Sequence, residues 1–102
     1  MSRRMLVLAA DYLEPSLRDE LTGSADVIQW GLPANLIDEI VSWNADYRKI
    51  IPLDVDGRHS FAGIIDALDR KGLELAQRIG TELGGSTKVR YYSEGWLRPL
   101  EG

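Results

Sequence analysis

The stretch SFAGIIDALDRKGLELAQRIGTELGGSTKVRYY, residues 60–92, decides the fold of this chain. Its apolar residues recur at spacings of three and four, which places them on one face of a long helix and the charged residues on the other. Ser60 is predicted to cap the start of this helix, because its hydroxyl can accept a hydrogen bond from a first-turn N–H group. Gly84 is predicted to end it, because helices commonly end at a left-handed residue.

A strand is predicted directly after this helix. Residues 88–92 alternate basic and apolar side chains, which is typical of a half-buried strand. Within the helix, Gly72 lies on the apolar face, where glycine costs about 1 kcal/mol relative to alanine. We therefore expect another backbone, from the first helix or from the sheet, to approach Gly72 closely.

The N-terminal half is predicted to contain two strands and one helix. The apolar run at residues 5–10 predicts a strand covered on both faces, and is too short for a signal peptide. Residues 13–23 permit either a loop or a helix of one or two turns, and residues 26–30 predict a short strand. Residues 34–48 carry apolar side chains at helical spacing and predict a second long helix.

The remaining segments complete a prediction of the fold. Residues 53–59 predict a linker between the helices. Trp96 and Leu100 either fold back against the core, or residues 96–102 remain a loose tail; the pattern leaves both open. The sequence therefore predicts a single α+β domain over residues 1–102, in two layers: a small three-stranded mixed sheet with a helical hairpin packed on one face.

Charge and composition narrow the classes of partner. The chain has 16 acidic and 12 basic residues, a net charge of −4, which disfavours nucleic acid because each phosphate contact needs a cation. Lys88 and Arg90 beside Tyr91 and Tyr92 would suit the binding of single-stranded nucleic acid, but any half-exposed β-strand has such residues. With no cysteine and no apolar run near the ~20 residues of a membrane helix, we expect a cytoplasmic protein that does not bind membranes.

The motifs that carry chemistry are incomplete. The segment 54–57, Asp-Val-Asp-Gly, resembles part of a calcium loop but lacks its later ligands. Residues 84–87 resemble a phosphate loop but follow a helix, where the dipole disfavours anions. We therefore predict no catalytic residue, cofactor or metal site. The alternative is a small enzyme that uses Asp11, Tyr12 or His59 in a pocket at the strand ends.

An acidic surface is the remaining candidate site. Acidic residues on the interhelix linker and the long helix form either a solvated face or an anionic patch that binds a basic protein. Aromatic residues would then anchor the contact. The candidate partner-binding residues are Asp54, Asp56, Asp66, Asp69, Trp43, Tyr47 and Trp96.

Four segments together carry a family resemblance. They are the strand ending in Ala-Asp-Tyr at residue 12, LIDEIVSWNADY at 36–47, LDRKGLELAQRIGTELG at 68–84 and VRYY at 89–92. This pattern resembles a group of short bacterial proteins, some of which accompany toxin genes as immunity proteins, for example in contact-dependent growth inhibition.

The resemblance implies a function. It implies an immunity protein that binds a cognate toxin domain, frequently a nuclease, and blocks it. We expect the toxin domain to be basic, and this chain to act without catalysis, as a monomer in the complex or a weak homodimer. No site residue transfers with the resemblance. The alternative is a regulatory or assembly module that dimerises through its third strand, as a sheet edge, or through Trp96 and Leu97.

Overall fold

The computed structural model describes residues 4–19, 30–84 and 87–100, with the backbone alone at Arg4. These residues form four strands and three helices. In chain order they are β1 (Arg4–Ala9), β2 (Ser16–Asp19), α1 (Ala34–Tyr47), α2 (Val55–Ser60), α3 (Ala62–Leu83), β3 (Thr87–Ser93) and β4 (Arg98–Leu100).

The four strands form one mixed sheet in the order β2-β1-β3-β4. β1 pairs antiparallel with β2 and parallel with β3, and β3 pairs antiparallel with β4. The predicted α+β class and mixed sheet are confirmed. The predicted number of three strands is wrong, because β2 and β4 were not expected.

The core lies between the sheet and the two long helices. Leu6 and Leu8 of β1 are fully buried in one hydrophobic cluster, whereas Met5 and Val7 are only half-buried. Since successive strand residues point to opposite faces, the helices cover the face that carries Leu6 and Leu8. The helical residues in this cluster are Leu36, Ile40, Trp43, Tyr47, Ile65, Leu75, Ala76 and Ile79.

β2 replaces the predicted loop or short helix over part of residues 13–23. Leu17 is fully buried and pairs with Leu8, while Arg18 is exposed. Pairing along β1 has overridden a weak local preference, since four residues repeat the strand period only twice and give a weak signal. The rest of that segment, and residues 26–29 of the predicted strand at 26–30, lie outside the described residues.

The predicted linker at residues 53–59 is instead largely helical. Asp54 caps α2, and its carboxylate accepts a 2.7 Å hydrogen bond from the N–H of Gly57. Ser60 is the last residue of α2 rather than the cap of α3, and its hydroxyl donates to the carbonyl of Asp56. Because the carboxylate of Asp54 satisfies an N–H group in the first turn of α2, this short helix forms ahead of the predicted start of α3.

Two glycines of α3 behave differently from each other. Gly84 has φ +62° and ends α3, as predicted. A Cβ on Gly72 would lie 2.2 Å from Cε1 of Tyr91, so the close neighbour belongs to the sheet but is a ring rather than a backbone. A side chain therefore occupies the space that the missing methyl group leaves.

Ion pairs join α1 to α3 on the solvent side. Glu39 accepts from Lys71 Nζ at 3.0 Å and from Arg78 Nη1 at 2.6 Å. The hydrogen bond from Lys71, followed by that from Arg78, lowers the pKa of Glu39. The carboxylate of Glu39 is thus occupied within the fold.

Candidate functional site

The candidate site is one corner of the molecule, formed by α2, residues 61–66 and the turn at residues 94–97. We call this region the corner. The turn joins β3 to β4, so the residues after β3 fold back into the sheet through Arg98–Leu100. The corner is built by hydrogen bonds between these three segments.

Arg58 holds the corner together. Its guanidinium donates to the carbonyls of Ile51 at 2.7 Å and Leu53 at 2.9 Å, and on the other side to those of Glu94 and Gly95. One side chain therefore links α2 to the segment before it and to the β3–β4 turn. No pattern in the sequence indicates this role, since Arg58 has no special neighbour or spacing.

The β3–β4 turn is also anchored from beneath. The N–H of Gly95 donates to the hydroxyl of Tyr47 at 2.8 Å, and the N–H of Trp96 donates to the hydroxyl of Ser93 at 3.0 Å. A Cβ on Gly95 would lie 2.5 Å from Cγ2 of Ile65, so only glycine lets the turn approach α3 this closely. The position of Trp96 is consequently fixed by buried hydroxyl groups.

Both hydroxyl groups depend on Asp69, which is 3% exposed. Oδ1 of Asp69 accepts from Tyr47 at 2.7 Å and from Tyr91 at 2.6 Å, and Oδ2 accepts from Ser93 at 2.8 Å. The hydroxyls of Tyr47 and Ser93 each donate a hydrogen bond to the carboxylate of Asp69, so their lone pairs can accept from the N–H groups of the turn. Because Asp69 only accepts, it determines which groups in this hydrogen-bond network act as donors.

The two tyrosines of this network are expected to resist alkaline titration. Burial, with Asp69 contributing, raises the pKa of Tyr47 to about 12 and raises the pKa of Tyr91. A raised folded-state pKa for Tyr47 means that its stabilising contribution is complete below pH 10 and is lost as pH rises towards 12. A shift of this size corresponds to roughly 3 kcal/mol for this residue.

Urea unfolding at a series of pH values from 8 to about 12 measures this loss, and absorbance of tyrosinate follows ionisation in parallel. Tyr47→Phe is the control, because its stability would fall less steeply over the same range. Ionisation of every tyrosine near pH 10 with the native fold intact would contradict the prediction.

The indole of Trp96 packs against the core and lies beside α2 and α3. Its Nε1 donates to Oδ1 of Asp66 at 3.0 Å, and its ring centroid is 5.9 Å from that of His59. The side chain is half-buried. Trp96 is therefore available at its outer edge while its polar atom already has a partner within the chain.

Exposed apolar side chains concentrate at the corner. Seven large hydrophobic residues of the described chain are exposed, and four of them are here: Val55, Phe61, Ile64 and Leu97. Leu97 is 59% exposed and has φ +56°, the only positive φ of a non-glycine residue in the part of the chain described. A left-handed conformation costs an L-residue roughly 1–2 kcal/mol, which a glycine would avoid.

The structure divides the predicted partner-binding residues into two groups. Asp56, Asp66 and Trp96 lie in the corner, and Asp54 caps the helix α2 that forms part of it. Asp69 and Tyr47 lie in the core, where neither can contact another protein. Trp43 is also buried, and its indole N–H donates to the carbonyl of Leu68 at 2.9 Å.

The residues of the alternative enzyme prediction lie on different elements. Asp11 and Tyr12 follow β1 and are exposed, and His59 lies in α2. The carboxylate of Asp11 accepts from the N–H of Tyr12 at 2.7 Å, and the amide of Asn44 exchanges two hydrogen bonds with the backbone of Asp11. Asp11 thus closes a local turn after β1.

Glu94 at the corner is electrostatically coupled to Asp11. Partial burial, followed by the negative charge of Asp11, raises the pKa of Glu94, while Arg58 and Arg18 oppose this shift. The two carboxyl groups follow the carboxyl ends of the parallel strands β1 and β3. They add further negative charge on this side of the molecule.

Two types of site are absent from residues 4–19, 30–84 and 87–100. No helix there is both long and apolar enough to cross a membrane. The same residues contain no group of three or more histidine, aspartate or glutamate side chains placed to hold a metal ion.

Comparison with known proteins found neither a matching family model nor a matching curated protein.

Proposed function

We propose that this chain is a non-catalytic immunity protein that binds a cognate toxin domain, a basic nuclease, through the corner. The observation that carries this proposal is the concentration of exposed apolar side chains there, with Leu97 held at positive φ. Exposed apolar side chains grouped among polar ones are typical of protein interaction sites. The resemblance of four sequence segments to immunity proteins supports the same function.

The strain at Leu97 is an argument for binding rather than folding. A leucine at positive φ destabilises the turn, and its exposed side chain gains little from burial within the chain. A residue that costs stability and contributes little to the core is best explained by a contact outside it. Trp96, fixed beside Leu97 by Ser93 and Asp66, supplies an aromatic anchor of the kind that dominates interfaces.

Charge at the corner indicates a basic partner. Asp54, Asp56 and Asp66 are exposed, whereas the guanidinium of Arg58 is directed to four backbone carbonyls. The rim is therefore anionic, and a cationic surface would associate faster with it than a neutral one. A nuclease active site is a surface of this kind, because it binds phosphates.

The test is co-expression with the protein that the adjacent reading frame encodes. We expect that protein to arrest growth when expressed alone, and this chain to restore growth and co-purify with it. Leu97→Gly should weaken the complex by at least about tenfold while leaving the free energy of unfolding unchanged or higher. Asp56→Lys should slow association at low salt.

Matched controls lie on α1, away from the corner. Asp38→Lys makes the same charge change as Asp56→Lys. Val55→Ala, which removes an exposed apolar side chain of the corner, should also weaken the complex, and Val41→Ala makes the same truncation on α1. If the adjacent protein is not toxic, if no complex forms, or if the α1 variants weaken binding as much as the corner variants, the proposal is wrong.

A further inference from the structure

The β1–β2 turn, residues 11–14, matches the β3–β4 turn in the order of its side chains. The two sequences are DYLE at 11–14 and EGWL at 94–97, and in both an acidic residue precedes an aromatic residue and a leucine. Tyr12 is 60% exposed and Leu13 is 76% exposed, so the β1–β2 turn presents its apolar side chains to solvent. A second exposed aromatic–leucine pair therefore accompanies the one in the corner.

The two turns leave the same end of the sheet. β1 and β3 are parallel neighbours, and Ala9 pairs with Tyr92. When this register is extended by two residues along each strand, Asp11 comes beside Glu94. Their charges interact, because partial burial, followed by the negative charge of Asp11, raises the pKa of Glu94. The β1–β2 turn is thus continuous with the corner through these two carboxyl groups.

Helix α1 holds both turns in place. Asn44, which is 1% exposed, accepts from the N–H of Asp11 at 2.8 Å and donates to its carbonyl at 3.1 Å. Three residues later in the same helix, the hydroxyl of Tyr47 accepts from the N–H of Gly95 at 2.8 Å. Because one helix positions both turns, their exposed side chains have a fixed spacing before a partner binds. Preorganisation of this kind reduces the conformational entropy lost on binding.

The size of the corner also indicates a larger contact surface. The corner has six residues in α2, six at 61–66 and four at 94–97, 16 in all. A stable protein–protein interface takes about 20–30 residues on each side, and the four residues of the β1–β2 turn bring the surface to this range. The surface then holds six of the seven exposed large hydrophobic residues of the described chain: Tyr12, Leu13, Val55, Phe61, Ile64 and Leu97.

Charge decides between two occupants of this surface. Asp11 and Glu14 are exposed and Glu94 is half-buried, with Arg18 as the nearby cation. A second copy of the chain would bring the same carboxyl groups into the interface from both sides, and like charges placed opposite each other oppose association. A basic protein would instead form favourable pairs with them. The β1–β2 turn therefore fits the same class of partner as the corner.

We propose that the β1–β2 turn is a second anchor for the basic toxin domain, which contacts both turns at once. The complementary face has two apolar recesses, one for Tyr12 and Leu13 and one for Trp96 and Leu97. A cationic side chain between the recesses meets the carboxyl groups that follow β1 and β3. This inference rests on the proposed function and extends its surface beyond the corner.

Binding of variants to the protein that the adjacent reading frame encodes tests this anchor. We expect Tyr12→Ala and Leu13→Lys each to weaken the complex by at least about tenfold. Both should leave the urea midpoint of the free chain unchanged, because these exposed side chains contribute little to the core. Amide exchange at residues 12–14 and 94–97 should slow together when the complex forms.

Asp11→Asn tests the charge of the anchor separately from its shape. Asparagine keeps a side-chain oxygen that can accept from the N–H of Tyr12, so the turn should persist. We expect this variant to slow association at low salt and to have no effect at about 1 M salt, where charges are screened.

Matched controls lie away from both turns. Thr81→Lys adds the same charge as Leu13→Lys at an exposed position near the other end of α3, and Asp38→Asn removes the same charge as Asp11→Asn from an exposed position on α1. Both controls should bind as the unaltered chain does.

The outcomes separate this inference from the proposed function. If no complex forms, both fail together. If Leu97→Gly weakens the complex while Tyr12→Ala and Leu13→Lys bind like their control, the corner remains the binding site and the second anchor is wrong. A concentration-dependent dimer of the free chain that Leu13→Lys abolishes would also overturn the inference, because it would assign the β1–β2 turn to a second copy.

Discussion

Replacing Gly72 with alanine is expected to destabilise the fold by about 3 kcal/mol. The new Cβ would lie 2.2 Å from Cε1 and 2.8 Å from the hydroxyl of Tyr91. This ring cannot rotate away freely, because it is 1% exposed and its hydroxyl donates to Asp69. The clash and the disturbed hydrogen bond together outweigh the gain of about 1 kcal/mol that alanine brings to a helix.

Thermal or urea unfolding measures this effect, and Gly63→Ala is the matched control. Gly63 lies in the same helix, and a Cβ there would meet nothing within 4 Å. The control should raise stability by up to about 1 kcal/mol, whereas Gly72→Ala should lower the melting temperature by more than about 10 °C. Equal effects of the two substitutions would show that Tyr91 does not restrict position 72.

Replacing Asp69 with alanine is expected to cost about 4 kcal/mol. The change leaves the hydroxyls of Tyr47, Tyr91 and Ser93 buried without their common acceptor. In the part of the chain that the structure describes, no buried side-chain nitrogen or oxygen atom lacks a partner, so this substitution would create the first such group. The turn at residues 94–97 should also loosen, since two of its N–H groups bond to these hydroxyls.

Asp69→Asn tests whether the loss of stability comes from the hydrogen-bond network or from packing. The asparagine keeps an oxygen for the two tyrosines and presents an N–H group to Ser93, so its cost should be only about 1–2 kcal/mol. Trp96 fluorescence and amide exchange at residues 94–97 report the loosening of the turn. An alanine variant as stable as the asparagine variant, with the turn unchanged, would refute the directing role of Asp69.

The long elements were predictable because their patterns extend over many residues. α3 repeats its apolar spacing over 22 residues. β1 is an apolar run with a strand on each side, although the prediction that both of its faces are covered is wrong: Leu6 and Leu8 are buried, whereas Met5 and Val7 are half-buried. β2 and β4 have four and three residues, which is at most two full periods of a strand. Their pairing partners, β1 and β3, determine them instead.

The burial of Asp69 was predictable from its position in α3, although the sequence analysis placed this residue on the surface. Steps of four, three and four lead from Ile65 through Asp69 and Gly72 to Ala76, and all four residues are buried. The spacing therefore places Asp69 on the apolar face of the helix, although its charge indicated a solvent-exposed side chain. The corner was predictable only in part. The acidic residues and Trp96 could be named as candidates from the sequence, but the turn that brings Trp96 to α2 depends on contacts of Arg58 and Gly95 that no sequence pattern indicates.

The parallel pairing of β1 with β3 has a consequence for biosynthesis. Arg4 pairs with Thr87, so the two strands meet only after 83 further residues have been added to the nascent chain. Until then, β1 leaves the ribosome as an apolar segment without its second neighbour, and such segments are prone to aggregate. Contacts this distant in sequence also slow folding, so a chaperone that shields the first strand during translation should raise the yield of native protein.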